Sequence, residues 1–245
     1  MIKKNIVCLV QARMESTRLP GKVLMKINGI PMIILQINTL KKSKLLNQII
    51  VITSKNQTND VLIKNLEKNG IRYFRGSEEN VLERYFQAAT KFNADIIVRI
   101  TSDNPLVDIT ILDNILKIIN ENDLDYVSNN LKRTFPIGYD IEAFSYKTLK
   151  KIFESTENID DLEHVTLYIH KNKEKFKIKN FEANSEDAHP EWRVTVDEKE
   201  DFQLIKEIFK HYHKKSIIRY RDLIELFEKK PSLIKINEHI SQKNL

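Results

Sequence analysis

The stretch IVCLVQARMESTRLPGK, residues 6–22, joins an apolar run directly to a polar segment that carries three cationic side chains. The run at residues 6–10 is short and rich in β-branched residues, which predicts a buried strand. Similar short runs recur along the first half of the chain, each followed by a longer segment with helical spacing of its apolar residues. This alternation predicts an α/β fold in which helices cover a mostly parallel sheet.

The expected elements are most regular in the first half. The expected strands cover residues 6–10, 48–53, 71–74, 95–100 and 125–128. The expected helices cover residues 31–41, 59–69, 78–92 and 109–120. Ligands of such sheets bind beyond the carboxyl ends of the strands, so the loops that follow strands are the candidate sites.

The alternation loosens after about residue 130. We expect strands at 139–144 and 176–181, helices from 146 and over 161–172, and a return strand at 192–196 that leads into an amphipathic helix. Residues 1–232 should then form a single domain, with residues 130–185 as an inserted lobe for dimerisation or acceptor binding. Residues 233–245, rich in Lys, Ser and Asn, should form a loosely held tail.

Composition excludes several classes of protein. The net charge of +6 arises from 40 basic and 34 acidic residues that are interleaved, a pattern typical of a solvated surface and not of a nucleic-acid interface. The single cysteine, Cys8, lies in the first apolar run and excludes a disulfide or cysteine metal site within one chain. No stretch approaches the roughly 20 apolar residues of a membrane span, so we expect no membrane partner and a cytoplasmic location.

The loop after the first expected strand could bind a polyphosphate. Arg13, Arg18 and Lys22 offer positive charge, and Gly21 allows backbone N–H groups to come close to a ligand. It is not a Walker P-loop, because Val23 occupies the Ser/Thr position after Gly21-Lys22. A kinase or ATPase is therefore disfavoured, whereas an ordinary solvated loop with surface cations stays an alternative.

Residues 11–22 resemble the motif Q/P-A-R-x-x-S-T-R-L-P-G-K that opens the SpsF-like (spore-coat polysaccharide biosynthesis protein F) and the 3-deoxy-manno-octulosonate cytidylyltransferases. The resemblance continues in order through residues 74–85, 98–106, 138–144 and 163–166 and ends near Asp197. It implies a Rossmann-like fold of the nucleotide-diphospho-sugar transferase type. It also implies a homodimer that transfers CMP from CTP to an acidic sugar or sugar phosphate, with release of pyrophosphate, in surface glycan synthesis.

The resemblance assigns roles to individual residues. Those it implies for catalysis are Arg13, Lys22, Asp103 and Asp197. Those it implies for nucleotide binding are Gln11, Ala12, Arg13, Ser16, Thr17, Arg18, Gly21, Lys22, Ser77 and Arg84, although Arg84 could instead be an ion-paired residue on its helix.

Two aspartates are the expected ligands of Mg²⁺. Asp103 follows the expected strand at 95–100 and should lie at its carboxyl end. Mg²⁺ commonly takes one or two carboxylates together with waters and substrate phosphates, so a second acid is useful. In the resemblance Asp197 matches the aspartate of a V-D-T-P-E-D motif, although Glu198-Lys199 replaces the Thr-Pro here. Either aspartate could instead cap a turn or a helix.

The acceptor site is the least specified. The residues expected on the acceptor side are Tyr139, Asp140, Glu142, His164 and Arg193. His164 could equally be a packed or capping histidine. Two alternatives stay open: a nucleotide-sugar glycosyltransferase, in which Asp103 binds the metal and diphosphate, and a non-catalytic nucleotide-binding protein of a glycan pathway.

Overall fold

The structure, a computed structural model, describes residues 4–242 and contains nine strands and nine α-helices within them. The strands are β1 (Ile6–Gln11), β2 (Lys26–Ile27), β3 (Ile30–Pro31), β4 (Gln48–Ser54), β5 (Tyr73–Gly76), β6 (Ile96–Thr101), β7 (Tyr126–Ser128), β8 (Glu142–Ser145) and β9 (Ile178–Asn180). The helices are α1 (Met32–Leu40), α2 (Asp60–Lys68), α3 (Val81–Lys91), α4 (Ile109–Glu121), α5 (Tyr146–Ser155), α6 (Ile159–His164), α7 (Leu167–Lys171), α8 (Lys199–His211) and α9 (Tyr220–Lys229).

The central sheet has the order β5-β4-β1-β6-β8-β7-β9. Strands β5, β4, β1 and β6 pair in parallel, as do β7 and β9, whereas β8 pairs antiparallel with both of its neighbours. The expected α/β fold with a mostly parallel sheet is confirmed. The carboxyl ends of β1 and β6 lie side by side, with Gln11 opposite Thr101, so the loops that follow them share one edge of the sheet.

Strand β1 is apolar throughout because both faces of the sheet are covered. Val7 and Leu9 pack into one hydrophobic cluster, whereas Cys8 and Val10 pack into the other. All four are fully buried, and burial raises the pKa of the Cys8 thiol. Such a thiol stays protonated and packs as a small apolar side chain.

The single helix expected over residues 161–172 is wrong, because the chain turns sharply in its middle. Helix α6 ends at His164, and Val165 adopts the left-handed φ of 52°. The Thr166 N–H then donates to the His164 carbonyl at 2.5 Å, which makes a γ-turn, and α7 begins at Leu167. Positive φ is rare for a β-branched residue, and the pattern of apolar residues gives no warning of it.

The return strand expected at 192–196 is also wrong. The backbone of residues 192–196 is extended, but it hydrogen-bonds to two loops and does not join the central sheet. Val194 N–H donates to the Ile137 carbonyl at 2.7 Å, and Val196 N–H donates to the Asp103 carbonyl at 2.8 Å. Gly138 permits this approach, since a Cβ there would lie 2.5 Å from the backbone nitrogen of Thr195. The segment therefore carries Asp197 to the end of β6.

Residues 130–185 contribute β8 and β9 to the central sheet and place α5, α6 and α7 beside it.

Beyond residue 232 the chain was expected to be loosely held, yet a 3₁₀ helix at Pro231–Ile236 leads to Asn237, which is only 2% exposed. Asn237 donates side-chain hydrogen bonds back to the body of the protein, so that expectation is wrong for this part of the tail. No helix within residues 4–242 is long and apolar enough to cross a membrane.

Candidate active site

The loop after β1 is held in a closed shape by its own backbone. Gly21 N–H donates to the Met14 carbonyl at 2.8 Å, and Met14 N–H donates to the side chain of the buried Asn59 at 2.9 Å. Gly21 has a φ of 72°, a conformation that favours glycine. The chain reverses at this point, and the following residue, Lys22, is directed inwards with only 8% of its surface exposed.

Lys22 joins the two acidic loops. Its Nζ donates to Asp103 Oδ2 at 3.1 Å, to Asp197 Oδ1 at 2.8 Å and to the Val196 carbonyl at 2.8 Å. Burial disfavours the charged ammonium, but the two carboxylates outweigh this and raise the pKa of Lys22. The expected catalytic residues Lys22, Asp103 and Asp197 thus meet at one point. Lys22 was expected to bind phosphate, but here it is bound to the two carboxylates.

The Asp103 side chain is oriented by the strand it follows. Thr101, the last residue of β6, donates its hydroxyl to Asp103 Oδ1 at 2.5 Å. Asn104 in turn donates to the Thr101 hydroxyl at 3.1 Å, and the Asp103 carbonyl accepts from Val196. The turn after β6 therefore fixes both the side chain and the backbone of Asp103.

Asp197 is surrounded by cations. Its Oδ2 lies 3.1 Å from Arg18 Nη2 and 2.9 Å from Arg193 Nη2, while its Oδ1 accepts from Lys22. Burial opposes ionisation of Asp197, but Lys22, Arg18 and Arg193 outweigh it and hold the pKa of this carboxyl below its usual value. Asp197 is therefore an ionised group at neutral pH, as a metal ligand must be.

These residues line a cavity of about 320 Å³. The cavity is lined by Gln11, Ala12, Arg13, Glu15, Ser16, Thr17, Arg18, Lys22, Val23, Thr101, Ser102, Asp103, Glu163 and Asp197. A second cavity of about 460 Å³ shares Arg13 and Glu163 with the first and continues to Glu78–Val81 and α6. The first loop, the acidic loops and the start of α3 thus line a cleft made of these two adjoining cavities.

Ser77 and Arg84 line neither cavity and stabilise the turn that leads into α3. Arg84 is 3% exposed and donates through Nη1 to the Ser77 carbonyl at 2.7 Å, while Ser77 Oγ accepts from Asn80 N–H at 3.1 Å. Burial is the main cause that lowers the pKa of Arg84. A Cβ on Gly76 would lie 2.9 Å from Arg84 Cγ, so the glycine makes room for the arginine. Arg84 holds the turn at Ser77 and does not face the cavities.

Three of the expected acceptor residues are engaged within the protein. Tyr139 is 1% exposed and packs edge-on against Tyr220, with ring centroids 5.2 Å apart. Glu142 is 3% exposed, is paired with Arg99 and accepts from the Tyr126 hydroxyl at 2.9 Å.

Arg193, the third, is 6% exposed and its guanidinium is occupied by carboxylates. The Asp140 side chain is half-buried, with its Oδ1 2.7 Å from Arg133 Nη2, and His164 is half-buried at the end of α6.

Glu163, to which the sequence assigned no role, lines both cavities. Its position beside His164 in the motif at 163–166 was the available indication.

The donor set fits Mg²⁺ bound together with a nucleotide. Within residues 4–242 no three His, Cys, Asp or Glu side chains are grouped as a metal site. Asp103 and Asp197 instead offer two carboxylates that already share one cation, the Lys22 ammonium. Two carboxylates are the number that Mg²⁺ commonly takes when waters and substrate phosphates complete its shell.

Comparison with known proteins decides the family. The profile of the cytidylyltransferase family matches residues 7–242. The chain belongs to the cytidylyltransferase family. It is therefore a nucleotidyltransferase, which confirms the expected family and the expected class of enzyme.

Individual relatives agree over nearly the whole chain. The spore coat polysaccharide biosynthesis protein SpsF of Bacillus subtilis is 32% identical over 234 residues, which span 93% of this chain and 95% of that protein. An uncharacterised protein of Methanocaldococcus jannaschii is 34% identical over 240 residues, 98% of this chain and 97% of its own length. The solved structure of a cytidylyltransferase from Leptospira borgpetersenii superposes with a TM-score of 0.89 at 32% identity and covers 100% of both chains.

A CMP:2-keto-3-deoxy-manno-octonic acid synthetase complexed with CTP superposes with a TM-score of 0.65 at 16% identity. This match covers 85% of the present chain and 99% of the synthetase. At that identity the likeness concerns the fold, and it confirms the expected Rossmann-like architecture.

Proposed function

We propose that this enzyme transfers CMP from CTP to an acidic sugar or sugar phosphate, with release of pyrophosphate, for surface glycan synthesis. The observation that carries the proposal is the meeting of Asp103 and Asp197 on Lys22, beside the cationic loop of a cytidylyltransferase. The relatives named for spore coat polysaccharide synthesis and for a CTP complex support the glycan pathway and the nucleotide.

The two cavities suggest how CTP lies. We place the triphosphate in the cavity that contains Arg13, Arg18 and Lys22, and the cytidine in the adjoining cavity between Glu78–Val81 and α6. Backbone groups near Ala12, which lines the first cavity, and near Ser77, which precedes Glu78 of the second, are the candidates to bind the edge of the cytosine. Arg13 lines both cavities and would contact the nucleotide where they join.

The reaction is an in-line displacement. An acceptor oxygen attacks the α-phosphorus and forms a new P–O bond, while the bond from that phosphorus to the bridging oxygen breaks and pyrophosphate leaves with the bonding pair. A sugar phosphate attacks as an anion, whereas a sugar hydroxyl must give up its proton to a carboxylate of the site. Arg13 and Arg18 stabilise the negative charge on the departing β- and γ-phosphates. Asp103 and Asp197 would hold Mg²⁺, which when bound supplies positive charge beside the α-phosphate.

Lys22 has a different task in the free enzyme and in the complex. In the free enzyme its ammonium offsets the repulsion between the carboxylates of Asp103 and Asp197. With Mg²⁺ and nucleotide bound, those carboxylates would have another cation, and Lys22 would be available to the phosphates. This exchange reconciles the observed contacts of Lys22 with the phosphate role that the sequence motif implies.

Fewer residues are candidates for contact with the acceptor than the sequence implied. Tyr139, Glu142 and Arg193 are buried and contact other residues of the protein, so we do not place them at the acceptor. Glu163 and His164, at the end of α6, are the candidates for contact with the acceptor. The homodimer and the cytoplasmic location stay predictions, and light scattering on the purified protein tests the former.

A substrate screen tests the proposal. CTP, UTP, GTP and ATP are each incubated with a panel of sugar acids and sugar phosphates, with Mg²⁺ and then with a chelator, and pyrophosphate is measured. We expect release with CTP and one class of acceptor, lost on chelation and restored by added Mg²⁺. A glycosyltransferase would require a preformed nucleotide sugar, and a non-catalytic protein would bind CTP without release; either result contradicts the proposal.

A further inference from the structure

Asp201 is a completely buried carboxylate that the proposed chemistry does not use. It lies in the first turn of α8, is 0% exposed and accepts five hydrogen bonds. The donors are Arg193 Nε at 2.9 Å, Arg193 Nη2 at 2.9 Å, Asn237 Nδ2 at 2.8 Å, Asp197 N–H at 2.9 Å and Glu198 N–H at 3.0 Å. Burial opposes its ionisation, but these donors outweigh it and hold the pKa of Asp201 below its usual value.

The contacts of Asp201 fix Asp197 in two ways. Its Oδ2 binds the backbone N–H of Asp197 directly, at 2.9 Å. It also orients the guanidinium of Arg193, whose Nη2 donates both to Asp201 Oδ2 and to Asp197 Oδ2 at 2.9 Å. Backbone and carboxylate of Asp197 are therefore set by one buried group. These hydrogen bonds lie in the turn where Glu198-Lys199 replaces the Thr-Pro of the family motif.

The C-terminal segment completes this cluster. Asn237 donates through Nδ2 to Asp201 Oδ1 at 2.8 Å and to the Arg193 carbonyl at 3.1 Å. Arg193 Nη1 also donates to the side chain of Gln242. The 3₁₀ helix Pro231–Ile236, whose apolar residues pack against the core, delivers Asn237 to this position. The segment at 231–242 thus contacts the group that orients Asp197.

We propose that Asn237, through Asp201 and Arg193, is a positioning residue for Asp197, which makes the C-terminal segment part of the active site's support. The proposal rests on the proposed function, in which Asp197 is a metal ligand. A carboxylate that is free to turn binds a metal less well, and groups that orient metal ligands commonly contribute 10–100-fold to affinity or activity. Asn237 is linked to Arg18 only through Asp197, and Arg13 lines both cavities outside this cluster, so the affinity for CTP should depend on Asn237 far less.

The test compares two buried asparagines in the full-length protein. Asn129 is 1% exposed and, like Asn237, makes two main side-chain contacts, to the Tyr139 carbonyl and from Ile141 N–H. Neither contact involves Asp197, Asp201 or Arg193, so Asn129→Ala is a matched control for Asn237→Ala. Thermal unfolding of both variants gives the loss of stability against which the other effects are judged.

For Asn237→Ala we expect kcat to fall about tenfold and the Mg²⁺ concentration for half-maximal rate to rise several-fold, with the KM for CTP changed less than about twofold. In the metal-free protein, hydrogen exchange at the Asp197 amide should become faster. Asn129→Ala should show neither change at a similar loss of thermal stability. If both variants have the same kinetics and the same exchange at Asp197, the positioning role is wrong.

Asp197→Asn separates this inference from the function on which it rests. If that variant keeps full activity and an unchanged requirement for Mg²⁺, the assignment of Asp197 as a ligand fails. If it is inactive while Asn237→Ala behaves like Asn129→Ala, the proposed function stands and only the role of Asn237 is overturned.

Discussion

Lys22 donates a hydrogen bond of 2.8 Å to Asp197, across 175 residues of sequence. The same ammonium lies 3.1 Å from Asp103. The ammonium thereby holds together the two loops that carry Asp103 and Asp197, at the end of the sheet. A divalent cation bound by both carboxylates would hold these loops in the same way.

Replacement of Lys22 by alanine should lower turnover by about a hundredfold or more, the scale expected for losing electrostatic stabilisation of a phosphoryl transfer. Pyrophosphate release at saturating CTP measures it. Lys26→Ala is the matched control, since Lys26 is exposed on the nearby β2. Near-wild-type turnover of Lys22→Ala would remove Lys22 from the catalytic groups.

Asp103→Asn should also reduce turnover by about a hundredfold, because the amide keeps the shape of the side chain but cannot supply a carboxylate to a metal. Asp123→Asn serves as the control, since the Asp123 side chain is 96% exposed. The rate of pyrophosphate release is compared over a range of Mg²⁺ concentrations. An unchanged rate and Mg²⁺ dependence would show that Asp103 is not a ligand.

Gly138→Ala should destabilise the protein strongly, because the new Cβ would lie 2.5 Å from the backbone nitrogen of Thr195. Gly70→Ala isolates this clash. Gly70 also has a positive φ, but nothing lies within 4 Å of an added Cβ there. Thermal unfolding should show a much larger loss for Gly138→Ala, and equal losses would mean that the approach to Thr195 does not matter.

Acid should unfold the protein partly through its buried carboxyls. Burial raises the pKa of Glu142, but Arg99 and hydrogen bonds outweigh this and lower it below the usual 4.5. A carboxyl whose pKa is lower in the folded state contributes stability above its unfolded pKa, and that contribution is lost as the pH falls. Asp197 and Asp201 act in the same direction.

Glu142→Gln should therefore be less stable near neutral pH yet lose less free energy of unfolding from about pH 7 to about pH 3. Denaturant unfolding at several pH values measures this slope. Glu154→Gln is the control, since Glu154 is 60% exposed. Equal slopes for Glu142→Gln and the parent protein would contradict the lowered pKa.

Strands buried on both faces could be predicted well from sequence. The run at 6–10 became Ile6–Gln11 because both sides of β1 meet apolar residues. The strand expected at 139–144 is Glu142–Ser145 instead, since Tyr139 and Ile141 enter the core from a loop. Burial and strand pairing produce the same apolar pattern there, and only the tertiary structure separates them.

The site was predictable where its residues directly follow parallel strands of the sheet. The cationic loop and Asp103 could be assigned to one cleft because each follows a parallel strand. Arg193 was expected at the acceptor, because a sequence does not show that Asp201 and Asp197 occupy its guanidinium. Asn237 lies 36 residues from Asp201, and a lone asparagine in a polar tail carries no local pattern that points to so distant a partner.

The fate of the α-phosphorus of CTP tests the central claim most directly. With Mg²⁺ and a suitable acceptor, CTP labelled at that phosphorus should yield a labelled CMP conjugate and one pyrophosphate for each conjugate formed. Asp103→Asn should form neither at a comparable rate. Label that stays in CTP with every sugar acid and sugar phosphate, or that appears only as free CMP, would contradict CMP transfer by this cleft.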